Sequence, residues 1–263
     1  MIRFVGIVAL ALCGVFAAFA NDFPNAKRAA TPLAMRFQWH TDRPPPACIG
    51  DCRAWVSATG PITAGTPGEF QTFARGRDLR RATIVLDSEG GSVLGALALG
   101  RMIRALDMTT TVGRSSIDGS LLGARSSLSP EADCQSMCVF VLLGGARRYV
   151  PPQARVLVHQ IWLDKKRDRA LDASYTAEEL SVVQRDIGSL AAYTVEMGGR
   201  IALLEMALKV PPWQPLRLLA ADDLRGIGLT NVERLFDEVG APPAMTSARP
   251  DPVTTARAQR NAR

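Results

Sequence analysis

Between Ala82 and Val112 the chain reads as a short apolar run, a glycine turn, a helical stretch and a second short run. Ala82-Thr83-Ile84-Val85-Leu86 is β-branched and apolar without polar alternation, the composition of a strand buried on both faces. It breaks at Asp87-Ser88-Glu89-Gly90-Gly91. A helical pattern follows from Ser92 to about Leu106, and Thr109 to Val112 form the next strand. Strand, turn, helix and strand in that order make a βαβ unit, which requires a parallel sheet with covered faces. The expected class is therefore α/β.

The rest of the chain extends that unit. Ala54-Trp55-Val56-Ser57-Ala58 reads as an earlier strand. Thr66-Pro67-Gly68-Glu69 reads as a helix start with Thr66 as cap, and the helix should end at Gly76. Residues 115–133 are polar and turn-rich, an excursion from the core. Ser136 to Leu143 is a second apolar helix ended by Gly144-Gly145, and Arg155 to Ile161 is another buried strand. Thr176-Ala177-Glu178-Glu179 is a capping box opening a long helix that stops at Gly198-Gly199. A short helix to Lys209 and a last element from Ala221 to Leu229 follow.

A chain of 263 residues, 47% hydrophobic and 21% charged, supplies one substantial core. That domain is expected over residues 48–238. Arg3, the unbroken apolar or small run from Phe4 to Ala20, and its Ala18-Phe19-Ala20 end have the three parts of a secretory signal. The run is short for a spanning helix, so a cleaved signal over residues 1–20 is preferred to a retained anchor. The chain then belongs in the periplasm or outside the cell, with a membrane association only if the segment is kept. Residues 21–47, with Pro24, Pro32 and Pro44-Pro45-Pro46, read as a linker. Residues 239–263 read as a disordered basic tail that carries much of the net charge of +6. No basic run is interleaved with aromatic residues, so the charge does not indicate nucleic acid.

Export gives the cysteines their meaning. Loss of Cys13 leaves Cys48, Cys52, Cys134 and Cys138, an even set suited to disulfides in an oxidising compartment. Three connectivities are open, and two local CxxxC bridges are the simplest. A metal site built on Cys134, Cys138 and His159 is the less favoured alternative, since it needs free thiolates. No metal or cofactor is expected.

Three pieces carry chemistry: Gly90-Gly91 after a strand, Ser136 at the head of an apolar helix, and His159 at the end of a strand. A serine hydroxyl becomes a nucleophile when a base removes its proton. His40 falls in the expected linker, which leaves His159 as base. The tetrahedral intermediate needs backbone N–H donors. Gly90-Gly91 and the amide of Met137 are placed to supply them.

These residues resemble a known family. Leu86-Asp87-Ser88-Glu89-Gly90-Gly91-Ser92-Val93 is similar to the glycine-pair segment of the Clp protease proteolytic subunit. Cys134-Gln135-Ser136-Met137-Cys138, its helix and Gly144-Gly145-Ala146-Arg147-Arg148-Tyr149 resemble that family's nucleophile segment. Val156-Leu157-Val158-His159-Gln160 resembles its histidine-glutamine strand. The likeness runs from about Trp55 to Leu229 and looks closest to exported bacterial relatives of Clp protease. It implies a crotonase (ClpP-like) fold of repeated β-β-α units with a mainly parallel sheet. It also implies Ser136 as nucleophile, His159 as base, Gly91 and Met137 as oxyanion donors, a peptide or protein substrate, and assembly as a homo-oligomer.

The chain departs from the family in two ways. The segment from Ser115 to Asp133 is longer, and the stretch Trp213 to Leu218, where the family keeps its third catalytic residue, has no acid. Asp164, Asp168, Asp222 and Asp223 are the remaining candidates for that role, the last two also suiting a helix cap. Lys165 and Lys166 offer a less favoured Ser–Lys pairing. A non-catalytic binding or scaffold protein on the same fold is the alternative to a hydrolase.

Overall fold

The computed structural model describes residues 34–43, 52–120, 123–163, 171–172 and 174–236. The expected signal, most of the linker, Cys48, Asp164 to Asp168 and the basic tail lie outside those residues. The described residues all fall within one unit, Leu33–Arg263.

The expected βαβ unit is present as β3 (Thr83–Asp87), α2 (Val93–Ala105) and β4 (Thr109–Val112). Every residue of β3 but Asp87 is buried, and all of β4 is, so the apolar run reports a strand covered on both sides. β2 (Ala54–Thr59) pairs parallel with β3, and β4 pairs parallel with β8 (Arg147–Tyr149). β1 (Arg36–Thr41) closes one edge antiparallel to β2, which gives the order β1-β2-β3-β4-β8. A smaller sheet has the order β10-β9-β7: β7 (Asp133–Gln135) runs parallel to β9 (Arg155–Val158), and β10 (Arg217–Leu218) runs antiparallel to it. The fold is thus mixed α/β with mainly parallel strands.

Several elements differ from expectation. β1 lies inside the stretch read as linker, and His40 on it is buried at 3% exposure. Its flanking prolines hide a strand with few apolar residues. Residues 115–133 are largely a hairpin, β5 (Arg114–Ser120) and β6 (Gly123–Ser129). Its serines contribute hydrogen bonds where a usual strand contributes apolar burial: Trp55 Nε1 donates to Ser115 Oγ at 2.8 Å, and His40 is bonded to Ser126 Oγ at 3.0 Å. α1 (Thr66–Ala74) has Gly65, not Thr66, at its cap; Thr66 is buried and its hydroxyl accepts the Thr63 amide at 2.8 Å.

Two helices bear on the site. α3 (Cys138–Gly144) is buried along its whole length. α4 (Ala177–Glu196) opens on the expected capping box, with Thr176 Oγ1 accepting the Glu179 amide and Glu179 Oε2 accepting the Thr176 amide. Tyr193 on α4 donates to the Phe140 carbonyl at 2.9 Å. The phenol lies so close over Gly100 that a Cβ there would meet its oxygen at 1.8 Å. Arg104 donates to the carbonyls of Leu143, Gly144, Gly145 and Met197, at the ends of α3 and α4. Arg148 joins it on the Gly145 carbonyl and donates as well to that of Gly228. Carbonyls left unpaired at helix ends are strong acceptors, and positive charge is favoured there. Burial first, and the charge of Arg104 second, lower the Arg148 guanidinium to about 10, so Arg148 remains a cation at neutral pH. No helix of the described residues is long and apolar enough to cross a membrane.

Candidate active site

The C-terminal ends of three strands converge. Gly90 and Gly91 follow β3, Ser136 follows β7, and His159 follows β9. β7 and β9 are neighbours in the small sheet, and a parallel bridge between Ser88 and Cys134 ties the end of β3 to β7. Loops beyond the carboxyl ends of parallel strands are where such sheets commonly place their ligands.

Ser136 occupies a sharp strand-to-helix elbow. Its φ is +54°, a conformation that residues with a side chain seldom adopt. Its amide donates to Leu157 O at 2.8 Å, which continues the β7–β9 pairing by one residue. Its carbonyl then accepts from Val139 at 3.1 Å as α3 begins. The chain reverses within three residues because Gly90 makes room. A Cβ on Gly90 would lie 2.6 Å from Gln135 O, 2.8 Å from Met137 N and 2.9 Å from Ser136 Cβ.

Gly91 is required for a different reason. Ile62 donates to Gly90 O at 2.7 Å and accepts from Ser92 N at 2.8 Å, so it pairs on both sides of Gly91. In parallel pairing the straddled residue turns its own N–H to the other edge. With φ +137° and a would-be Cβ 2.1 Å from Ile62 O, only glycine fits. Neither the Gly91 nor the Met137 amide donates to a protein acceptor among the described residues. Both backbone N–H groups are therefore unspent; Met137 shares a pocket with Ser136, and Gly91 is not among the residues that line it.

His159 is half-buried, and its Nδ1 lies 2.7 Å from the carbonyl oxygen of Gln160. A carbonyl only accepts, so Nδ1 carries the proton in this bond, the nitrogen on which a base paired with serine keeps its proton. The ring leans on Trp162, with centroids 5.0 Å apart.

Ser136, Met137 and His159 line one pocket of about 270 Å³, counting its open mouth. Its remaining walls are mainly apolar: Phe140, Ile161, Leu190 and Leu204 among them. α4 and α5 (Ala202–Leu208) supply the far wall, a contribution that nothing in the local sequence announces.

Cys134 and Cys138 are joined by a disulfide that brackets Ser136, as the simplest pairing expected. Cys52 is disulfide-bonded too. The bridge removes both thiolates from the metal alternative, which is thereby corrected. Asp222 and Asp223 do not line the pocket. Asp222 is exposed and paired with Arg225, and Asp223 accepts the Ala220 amide at 3.3 Å at the head of α6 (Ala221–Gly226). They serve the helix end. The Gln160 carbonyl, which no sequence motif marks, accepts the Nδ1 proton, while Asp164 and Asp168 lie outside the described residues.

The chain matches no protein-family model and no curated protein.

Proposed function

We propose that this protein is an exported serine hydrolase, a peptidase of the Clp-protease type on a crotonase-like fold. The carrying observation is the pocket shared by Ser136 on its positive-φ elbow and His159 with its Nδ1 proton held by Gln160 O. In this mechanism His159 Nε2 takes the Ser136 Oγ proton as Oγ attacks the substrate carbonyl carbon. The oxygen of that carbonyl becomes an oxyanion and accepts from the Gly91 and Met137 amides. Collapse breaks the bond to the leaving amine, which receives the proton from the imidazolium. Water, deprotonated by the same imidazole, then releases the acyl group and restores Ser136.

The Gln160 carbonyl orients the Nδ1 proton of the base as an aspartate would. The buried disulfide supports export to an oxidising compartment, the periplasm or beyond. Peptide or protein substrates and a homo-oligomeric assembly belong to the same proposal.

The second reading is a binding or scaffold protein on the same fold. It is favoured by one observation: Asp222 and Asp223 lie at the head of α6 and are not among the residues that line the pocket. Hydrolysis of fluorogenic peptides by the mature protein separates the two. The hydrolase requires turnover that Ser136→Ala abolishes; the scaffold requires none in either protein.

A further inference from the structure

The nucleophile elbow is tied at both ends by one covalent bond. Cys134 is the middle residue of β7, and Cys138 is the first residue of α3. Their Cα atoms are 5.2 Å apart. Four residues of extended chain would span about 13 Å. The disulfide thus closes a tight reversal whose central residue is Ser136, two positions from each sulfur.

We propose that the Cys134–Cys138 disulfide is a positioning clamp that holds Ser136 in its left-handed conformation and its hydroxyl at the pocket. Resting on the serine-hydrolase proposal, it adds the cysteine pair to the machinery of that site. Three observations carry it. Ser136 at φ +54° would relax to a negative φ if its neighbours were free to move. The strand side is fixed by the Ser136 amide on Leu157 O, and the helix side is fixed by the burial of α3. The bond between those two sides is the constraint that stops the elbow from opening. Both cysteines are 0% exposed, so the clamp is shielded from thiols in solution and acts as a permanent part of the site.

A staple for stability alone is the competing role, and it would be a poor use of this position. Loop closure contributes least where the loop is shortest. The clamp and the staple differ in what they do to Ser136.

The test compares wild type with Cys134→Ala/Cys138→Ala by two readouts. One is the rate of labelling by a fluorophosphonate; the other is amide hydrogen exchange across residues 134–140. The clamp requires labelling to fall about tenfold or more, the factor that releasing a strained backbone implies. Exchange at Ser136 and Val139 must rise with it, while thermal unfolding stays cooperative. Cys52→Ala, which removes the other disulfide, must leave both readouts unchanged. Unchanged labelling overturns the proposal, and so does a fall in labelling without faster exchange. If the double variant does not fold, Cys134→Ser/Cys138→Ser takes its place beside Cys52→Ala. If wild type does not label at all, the hydrolase proposal fails. The clamp then stands on faster exchange at the elbow and falls if exchange is unchanged.

Discussion

The chain has two histidines, and each lies beside serine, in opposite settings. His40 is sealed in the sheet edge at 3% exposure, with Ser126 Oγ on Nδ1 at 3.0 Å and Ser57 Oγ on Nε2 at 2.9 Å. It stacks flat against Trp55, with centroids 5.6 Å apart. His159 is half-buried, its Nδ1 proton is directed to a carbonyl, and it lines a pocket with Ser136 and with Met137, whose amide is unspent. A serine touching a histidine is therefore not a site. What separates the two is what surrounds the pair: access, a fixed tautomer and donors for a developing charge. His40 joins the β5–β6 hairpin to β1 and β2, while His159 lines the pocket it shares with Ser136.

The sharpest way to break this contrast is to remove each histidine in turn. His159→Ala should lower kcat/KM for peptide hydrolysis by about 10³-fold or more. His40→Ala should leave it within about threefold, provided the assay temperature is below unfolding. Equal losses would erase the distinction.

Gly90→Ala tests the elbow from the glycine side. At φ +91°, with backbone and Ser136 Cβ within 3 Å of any added Cβ, it has no room. Hydrolysis should be lost and stability should fall by about 2 kcal/mol or more in a urea melt.

His40→Ala is next in size. It deletes two buried hydrogen bonds and a stacked ring, and should cost about 2–3 kcal/mol of stability. Ser126→Ala, which removes one of those bonds, should cost about 1 kcal/mol in the same measurement.

The smallest effect is on pH. Burial holds the His40 imidazole below its ordinary 6.5. As pH falls, the unfolded chain takes up that proton before the folded one does, so stability is complete above the unfolded value and lost as pH falls towards the folded one. Urea midpoints at descending pH should show this loss in wild type and a flatter profile in His40→Asn. A wild-type profile as flat as the variant's would mean that His40 is not held neutral by the fold.

The same contrast explains what the sequence makes legible. The βαβ unit was readable because β3 and β4 are buried on both faces and α2 has a serine cap whose Oγ accepts the Gly95 amide. Residue type singled out Ser136, His159 and Met137, which line one pocket, and Gly91, which sits at a close approach; their catalytic roles belong to the proposal. β1 and the hairpin were not, because Ser115, Ser126 and His40 hold them through hydrogen bonds that leave no apolar period. β7, β8 and β10 are too short for any periodicity and exist through pairing with distant partners. Asp222 and Asp223 were candidates for a third partner because residue type marks a carboxylate, whereas a backbone carbonyl such as that of Gln160 has no signature in residue type; Asp164 lies outside the described residues.

The central claim is that Ser136 is an activated nucleophile with His159 as its base. Its most direct test is fluorophosphonate labelling of the mature protein with the adduct located by peptide mass spectrometry. The account predicts one adduct, on Ser136, lost in His159→Ala and retained in His40→Ala. An unlabelled wild type, or an adduct that persists in folded His159→Ala, would contradict it.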